Sequence, residues 1–235
     1  STFFRIFENA SVRCFDGIIT VAETIKIRFE NYNKNTITVR NFPLMSEFPS
    51  KIRVFENRSK EVCYVGSISE VRGCFKMLDA VSKINVPLIL GGDIRGKKLE
   101  IKLTENPGWK LTTYLGRLSR AEVVEVMSNA MVGLVLIQKD DNLANGYPVK
   151  LFEYMAAGIP VVVSNFKKWK DIIEENNCGI TVDQFNVEEI SKAIQLFLNN
   201  IELAEQYGLN GRNAVLKKYS WESEMKKIIN FYNEI

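Results

Sequence analysis

Between residues 50 and 218 short aliphatic runs alternate with longer stretches in which apolar positions recur at helical spacing. Residues 61–65, 87–93, 111–115, 130–137, 161–163 and 179–182 read as strands of a buried sheet, each bounded by glycine, proline or polar positions. Phe75, Leu78 and Val81 mark a helix after the first of these, and Ser119 with Glu122 three residues on marks the capped start of another. Alternation of this kind predicts an α/β fold, a doubly wound parallel sheet of Rossmann-like type. Ligands in such sheets bind at the carboxyl ends of the strands.

The ends of the chain follow a different pattern. Residues 16–21 read as a buried strand feeding a helix from about Ala22, with Thr20 and Glu23 spaced as a capping box, and residues 36–40 as a second strand. Residues 41–59 show no period and read as a linker, while helices fill the chain beyond residue 182, the last running from Ser220 through Tyr232. The expected division is a partial unit at 1–45, a Rossmann-like domain at 46–218 and a final helix at 219–235. One strand–helix–strand unit cannot close a sheet of its own.

Composition narrows the function classes. With 46% apolar and 25% charged residues the chain is an ordinary globular protein, and a net charge of +3 does not argue for nucleic acid. The charge is uneven: residues 1–118 carry 19 basic and 12 acidic side chains, the remainder 12 and 16, a bias that suits a phosphate-bearing ligand or an anionic membrane surface as well as plain solvated lysines. There is no histidine, and Cys14, Cys63, Cys74 and Cys178 form no Cys-x-x-Cys pair, so a zinc site is not expected. The cysteines read as small core residues in a reducing cytoplasm. No apolar run reaches the roughly 18 residues of a membrane span. Without histidine, chemistry must rest on carboxylates, cations and backbone dipoles.

The most informative stretch is residues 145–164. It reads as a polar loop, a helix of two to three turns opened by Pro148 and closed by Gly158, then the apolar run at 161–163. A helix amino terminus is an anion site, and here it carries Lys150 in its first turn with Glu153 one turn on. The segment resembles the sugar-nucleotide motif of retaining glycosyltransferases of family 4, which have the GT-B fold: Glu-Gly-Phe-Gly-Leu-x-x-x-Glu-x-Met-Ala-x-Gly-x-Pro-Val. Gly146, Tyr147, Val149, Glu153, Met155, Ala156, Gly158, Pro160 and Val161 fit it. Asn145 stands where the motif has its first glutamate and Pro148 where it has its second glycine. The Pro-x-Lys-Leu-Phe-Glu-Tyr-Met form resembles a subset of that family acting in surface polysaccharide assembly.

The resemblance implies site roles residue by residue. The family's Gly-Arg-x-x-x-x-Lys-Gly, which holds the leaving diphosphate, is matched in frame by residues 66–73: Gly66 keeps its place, Ser67 replaces the arginine and Arg72 stands for the lysine. Arg72 and Lys150 are the expected diphosphate cations, the alternative for each being a solvated surface residue. Glu153 is expected to accept ribose hydroxyls, Asn145 to meet sugar hydroxyls, and the backbone of Gly146, Tyr147, Pro148 and Val149 to meet the sugar or β-phosphate. Arg117 and Leu118, after Gly116, resemble the turn that meets the base. Asp140, Asp141 and Asn142 read as a solvated loop, because the family resembled works without metal. Phe3, Phe4, Phe7 and Phe15 with Ile6 are expected to pack against the 16–21 strand or a further domain, a peripheral membrane contact being the alternative.

The resemblance therefore implies the donor-binding part of a metal-independent, retaining glycosyltransferase. Its donor would be a nucleoside diphosphate sugar, uridine diphosphate before guanosine diphosphate, and its acceptor a glycan or lipid-linked sugar at the cytoplasmic side of a membrane. No cofactor is implied. Alternatives are a non-catalytic binding subunit completed by a partner that carries the acceptor domain, a sugar-nucleotide epimerase of the same fold, and a non-enzymatic doubly wound module. The missing histidine counts against the epimerase, and the Lys150 and Glu153 pairing against the scaffold.

Overall fold

The computed structural model describes residues 2–138 and 146–235, with side chains from Phe4 onward in the first stretch. It divides into two compact units, one of Met45–Lys217 and a smaller one of Ser1–Leu44 with Lys218–Ile235.

The smaller unit begins with α1 (Thr2–Val12), β1 (Ile18–Thr20), α2 (Glu23–Glu30) and β2 (Thr36–Thr38). β1 and β2 pair in parallel, Ile18 opposite Thr36. The strand expected at 16–21 shrinks to three residues and is not buried throughout: Ile19 and Val21 are exposed, because in a two-stranded sheet each strand has a single neighbour. The capping box expected at Thr20 and Glu23 is absent. α2 starts after Ala22 with no side-chain cap, Thr20 still belongs to β1 and turns its hydroxyl to the carbonyls of Ala22 and Ile37, and Glu23 accepts from Thr38 instead.

The stretch read as a linker at 41–59 is folded. Short 3₁₀ turns form at Met45–Glu47 and Phe55–Asn57, and Phe48 and Phe55 are buried. Apolar anchors spaced without helical or strand period carry no sequence signal, yet they bury as well as periodic ones.

In the larger unit β3 (Val62–Val65), α3 (Cys74–Ile84), β4 (Leu88–Gly91), α4 (Lys97–Glu105), β5 (Thr112–Gly116), α5 (Arg120–Asn129), β6 (Val132–Val135), α6 (Val149–Ala157), β7 (Val161–Ser164), α7 (Lys167–Asn176), β8 (Gly179–Val182), α8 (Val187–Asn199) and α9 (Ile201–Lys218) follow one another. The strands form one six-stranded parallel sheet in the order β5-β4-β3-β6-β7-β8, the doubly wound α/β sheet the apolar pattern predicts. β3, β6 and β7 are buried on both faces, as helices on each side require. The capping box at Ser119 and Glu122 forms in both directions. The final helix, α10 (Trp221–Glu234), is capped by Ser220 and lies in the smaller unit, where the buried Glu224 accepts from the Arg40 backbone N–H and from Lys227. No helix among the described residues is long and apolar enough to cross a membrane.

Strand order reverses between β3 and β6, and there the sheet opens. The two strands pair only at Val62 with Val132 and Cys63 with Gly133. Beyond that point the fully buried Tyr154 of α6 intrudes, accepting from the Val65 N–H at 3.1 Å and donating to the Cys63 carbonyl at 3.4 Å. Gly133 makes room for it, since a Cβ there would lie 2.4 Å from the tyrosine ring.

Candidate functional site

The site is built at that opening, on α6. Pro148 is the N-cap rather than the first helical residue, with φ −70° and ψ 117°, so Val149 and Lys150 present the first backbone N–H groups. At the other end Gly158 takes φ +70°, a left-handed cap that an L side chain adopts only under strain. Two arginines hold the carboxyl end. Arg58 donates to the carbonyls of Ala130, Ala157 and Gly158, and Arg212 to those of Ala156 and Pro49. Cations at a helix carboxyl terminus complement its dipole. Burial, with Arg53 adding repulsion, lowers the Arg58 pKa to about 10.

The loop entering α6 is tied down from α7. Trp169, fully buried, donates its indole N–H to the Gly146 carbonyl at 2.9 Å and meets Phe166 edge to face. On the opposite side the loops after β3 and β4 are laced together by backbone bonds, Gly66 N to Gly91 O at 2.8 Å and Ile68 N to Asp93 O at 3.0 Å.

Between these walls lies a cleft of about 370 Å³ lined by Tyr64, Gly66, Ser67, Arg72, Val135, Ile137 and residues 146–150. The structure thus brings together Gly66, Ser67, Arg72, Gly146, Tyr147, Pro148, Val149 and Lys150 from two segments of the chain. Arg72 closes a 3₁₀ turn (Glu70–Arg72) ahead of α3 and lies beside the Tyr64 hydroxyl. Burial raises the Tyr64 pKa against the opposing pull of Arg72, so this hydroxyl stays neutral and donates to the Ser67 carbonyl at 2.9 Å. A second recess of about 190 Å³, lined by Gly92, Asp93, Arg95, Arg117, Leu118 and Val123, shares Gly66, Ser67 and Lys150 with the first. Arg117 and Leu118 therefore sit one recess away from Arg72. Asn145, like Asp140, Asp141 and Asn142, lies outside the described residues.

Glu153 is not among the lining residues of either recess. Its side chain is 6% exposed and held by two cations, Lys150 Nζ at 2.8 Å from Oε2 and Arg120 at 2.5 Å from Oε1. Arg120 also grips Glu47 through Nε and a terminal nitrogen, both at 2.7 Å, and covers the Phe48 ring. Burial alone would lower the Arg120 pKa, but Glu153 and Glu47 outweigh it and raise it. Arg120, Glu47 and Tyr154 escape sequence reasoning. Arg120 reads there as the first residue of a capped helix, and Tyr154 as one more apolar position of the motif helix. Among the described residues no cluster of histidine, cysteine, aspartate and glutamate is arranged to hold a metal ion.

Cations and a helix amino terminus gathered at the switch point of a doubly wound sheet make an arrangement suited to an anionic ligand. The family can be stated outright. Residues 46–214 match the glycosyl transferases group 1, and the chain belongs to that family. It is similar to an uncharacterized glycosyltransferase of Methanocaldococcus jannaschii, with 25% identity over 98% of this chain and 63% of the relative. It is also similar to the capsular polysaccharide biosynthesis glycosyltransferase CapM of Staphylococcus aureus, with 22% identity over 97% of this chain and 64% of that one. The chain thus spans a little under two thirds of the length of these curated relatives. The crystal structure of Anabaena HepE in complex with UDP and glucose superposes with a TM-score of 0.78 at 15% identity, over 100% of this chain and 67% of that one, and shows the shared fold.

Proposed function

We propose that the larger unit binds the donor of a retaining glycosyltransferase of family 4. The donor is a nucleoside diphosphate sugar, uridine diphosphate favoured, and the acceptor a glycan or lipid-linked sugar. The observation that carries this reading is the convergence of Arg72, Lys150 and the free N–H groups of Val149 and Lys150 on one cleft beside Gly66. When the bond between the sugar C1 and the diphosphate oxygen breaks, negative charge grows on the departing diphosphate. Fixed donors and cations aimed there lower the barrier without rearranging. The acceptor oxygen then bonds C1 on the same face while its proton passes to the departing diphosphate oxygen, and no protein nucleophile is needed. Glu153 is the carboxylate assigned to the ribose hydroxyls, through Oε2 once Lys150 turns to the diphosphate. The recess at Arg117 and Leu118 takes the base. Relatives and structural neighbours support the substrate class: CapM is named for capsular polysaccharide biosynthesis, and the HepE structure holds UDP.

A second reading has support from the smaller unit, where Phe4, Ile6, Phe7, Ile27, Ile229 and Tyr232 are exposed apolar side chains. On this reading the chain binds the nucleotide sugar and turns over only with a partner that supplies the acceptor side.

Thermal shift against a panel of nucleoside diphosphates and their sugars tests the donor site. A ligand at 100 times its dissociation constant adds about 2.7 kcal/mol of stability. The expected result is stabilisation by uridine diphosphate, reduced at least tenfold in apparent affinity by Glu153→Ala. No shift with any nucleotide would overturn the donor-site reading.

A further inference from the structure

Three charged side chains around Glu153 form one continuous relay. Lys150 holds Oε2 at 2.8 Å, Arg120 holds Oε1 at 2.5 Å, and Arg120 is itself fixed by Glu47 and by the face of Phe48. Lys150 is the member that lines both recesses, while Glu153 and Arg120 line neither. A carboxylate as buried as Glu153 is not stable without a cation, because desolvation penalises its charge. Whichever cation stays with it releases the other.

We propose that Arg120 is a positioning residue that holds and orients Glu153 so that Lys150 can leave it for the donor diphosphate. The inference rests on the donor-site reading above. Glu153 is the anion paired with Lys150, one helical turn away on the same face of α6. When a diphosphate enters, the Lys150 ammonium exchanges the carboxylate for phosphate oxygens. Arg120 then becomes the sole cation on Glu153, whose Oε2 is freed for the ribose. The fork geometry matters, since one guanidinium reaches Glu47 through Nε and Glu153 through a different nitrogen. An ammonium in its place cannot span both with the same rigidity. Glu47, from the turn preceding the sheet, sets where the fork points.

The test uses inorganic pyrophosphate as the probe, because it reports on Lys150 without involving the ribose. Titration calorimetry on the full chain should show pyrophosphate binding about tenfold weaker in Arg120→Gln, since Glu153 then retains Lys150. Adding Glu153→Gln to Arg120→Gln should restore pyrophosphate affinity to the wild-type level or better. Uridine diphosphate should stay weak in the double variant, because the ribose has lost its carboxylate. Equal pyrophosphate affinity in the wild type and Arg120→Gln overturns the proposal, as does a loss that Glu153→Gln does not rescue. A wild-type chain that binds neither pyrophosphate nor uridine diphosphate overturns the donor-site reading instead. If Arg120→Gln does not fold by circular dichroism, Arg120→Lys decides the same question: weakened binding rescued by Glu153→Gln supports the relay, and unchanged binding refutes it.

Discussion

Tyr154→Phe removes a single oxygen from the point where the sheet opens, and its consequence can be worked from the structure. The hydroxyl takes the Val65 N–H that would otherwise pair with β6, and gives its own proton to the Cys63 carbonyl. Burial raises the Tyr154 pKa well above 10, so the group is a neutral donor throughout the useful pH range. Without it the Val65 N–H is buried with no acceptor. An orphaned buried donor costs about 1–3 kcal/mol, and the longer bond to Cys63 adds little. With a urea slope of about 2–3 kcal/mol per molar, the midpoint should fall by roughly 0.5–1 M. Tryptophan fluorescence reports the transition, since Trp169 is fully buried in the same unit. A companion substitution, Gly133→Ala, places a methyl carbon 2.4 Å from the Tyr154 ring and should also destabilise. In a Tyr154→Ala background that penalty should vanish, because the clashing ring is gone. An unchanged midpoint with an unchanged slope in Tyr154→Phe would refute the idea that this hydroxyl stands in for strand pairing.

The two arginines behind α6 and the thiols give further tests. Arg58→Met deletes the donors to Ala130, Ala157 and Gly158 and should cost about 2–4 kcal/mol by urea denaturation; Arg58→Lys should recover only part of it, one ammonium being unable to reach all three carbonyls. Ellman's reagent should titrate Cys14 alone in the folded chain and all four thiols in denaturant, because Cys63, Cys74 and Cys178 are buried. Burial also pushes the Cys63 and Cys178 thiols up to about 12. Above pH 9 the unfolded chain therefore holds fewer protons than the folded one, and their contribution is intact below pH 9 and lost as pH rises toward 12. Stability should fall by up to about 1.4 kcal/mol per pH unit per thiol. Burial raises the Cys74 thiol to about 11, so it adds to this slope between pH 9 and 10; above about 10 Arg58, whose pKa is lowered, works in the opposite direction. Serine in place of Cys63, Cys74 and Cys178 should flatten the thiol part of the profile.

Much of the architecture was legible in the chain because it depends on neighbours close in sequence. The β-branched run at 161–163 reads as a buried strand and 179–182 as a further strand, Ser119 and Glu122 sit at the spacing a reciprocal cap needs, and Gly158 marks a helix end. Those are local facts, and the structure repeats them. Local spacing also misled: Thr20 and Glu23 have the capping spacing, but Thr20 is committed to a strand before the helix begins. The motif around Lys150 and Glu153 was readable as a candidate site because its helix start, cation and carboxylate are contiguous.

Tertiary structure alone decided who meets whom across the sheet. Arg72 and Lys150 share a cleft because β3 and β6 are neighbours at the switch point, an outcome of crossover connections and not of any residue's own preference. The same holds for Arg120 reaching Glu153, for Arg58 and Arg212 closing the end of α6, and for Tyr154 filling the gap Gly133 leaves. Each joins residues from separate elements, and their sequence neighbourhoods carry only the signature of a helix or a turn. Periodicity and caps report the energy of one element against solvent. Ion pairs and wedges report the energy of elements against each other, which exists only once the chain has folded.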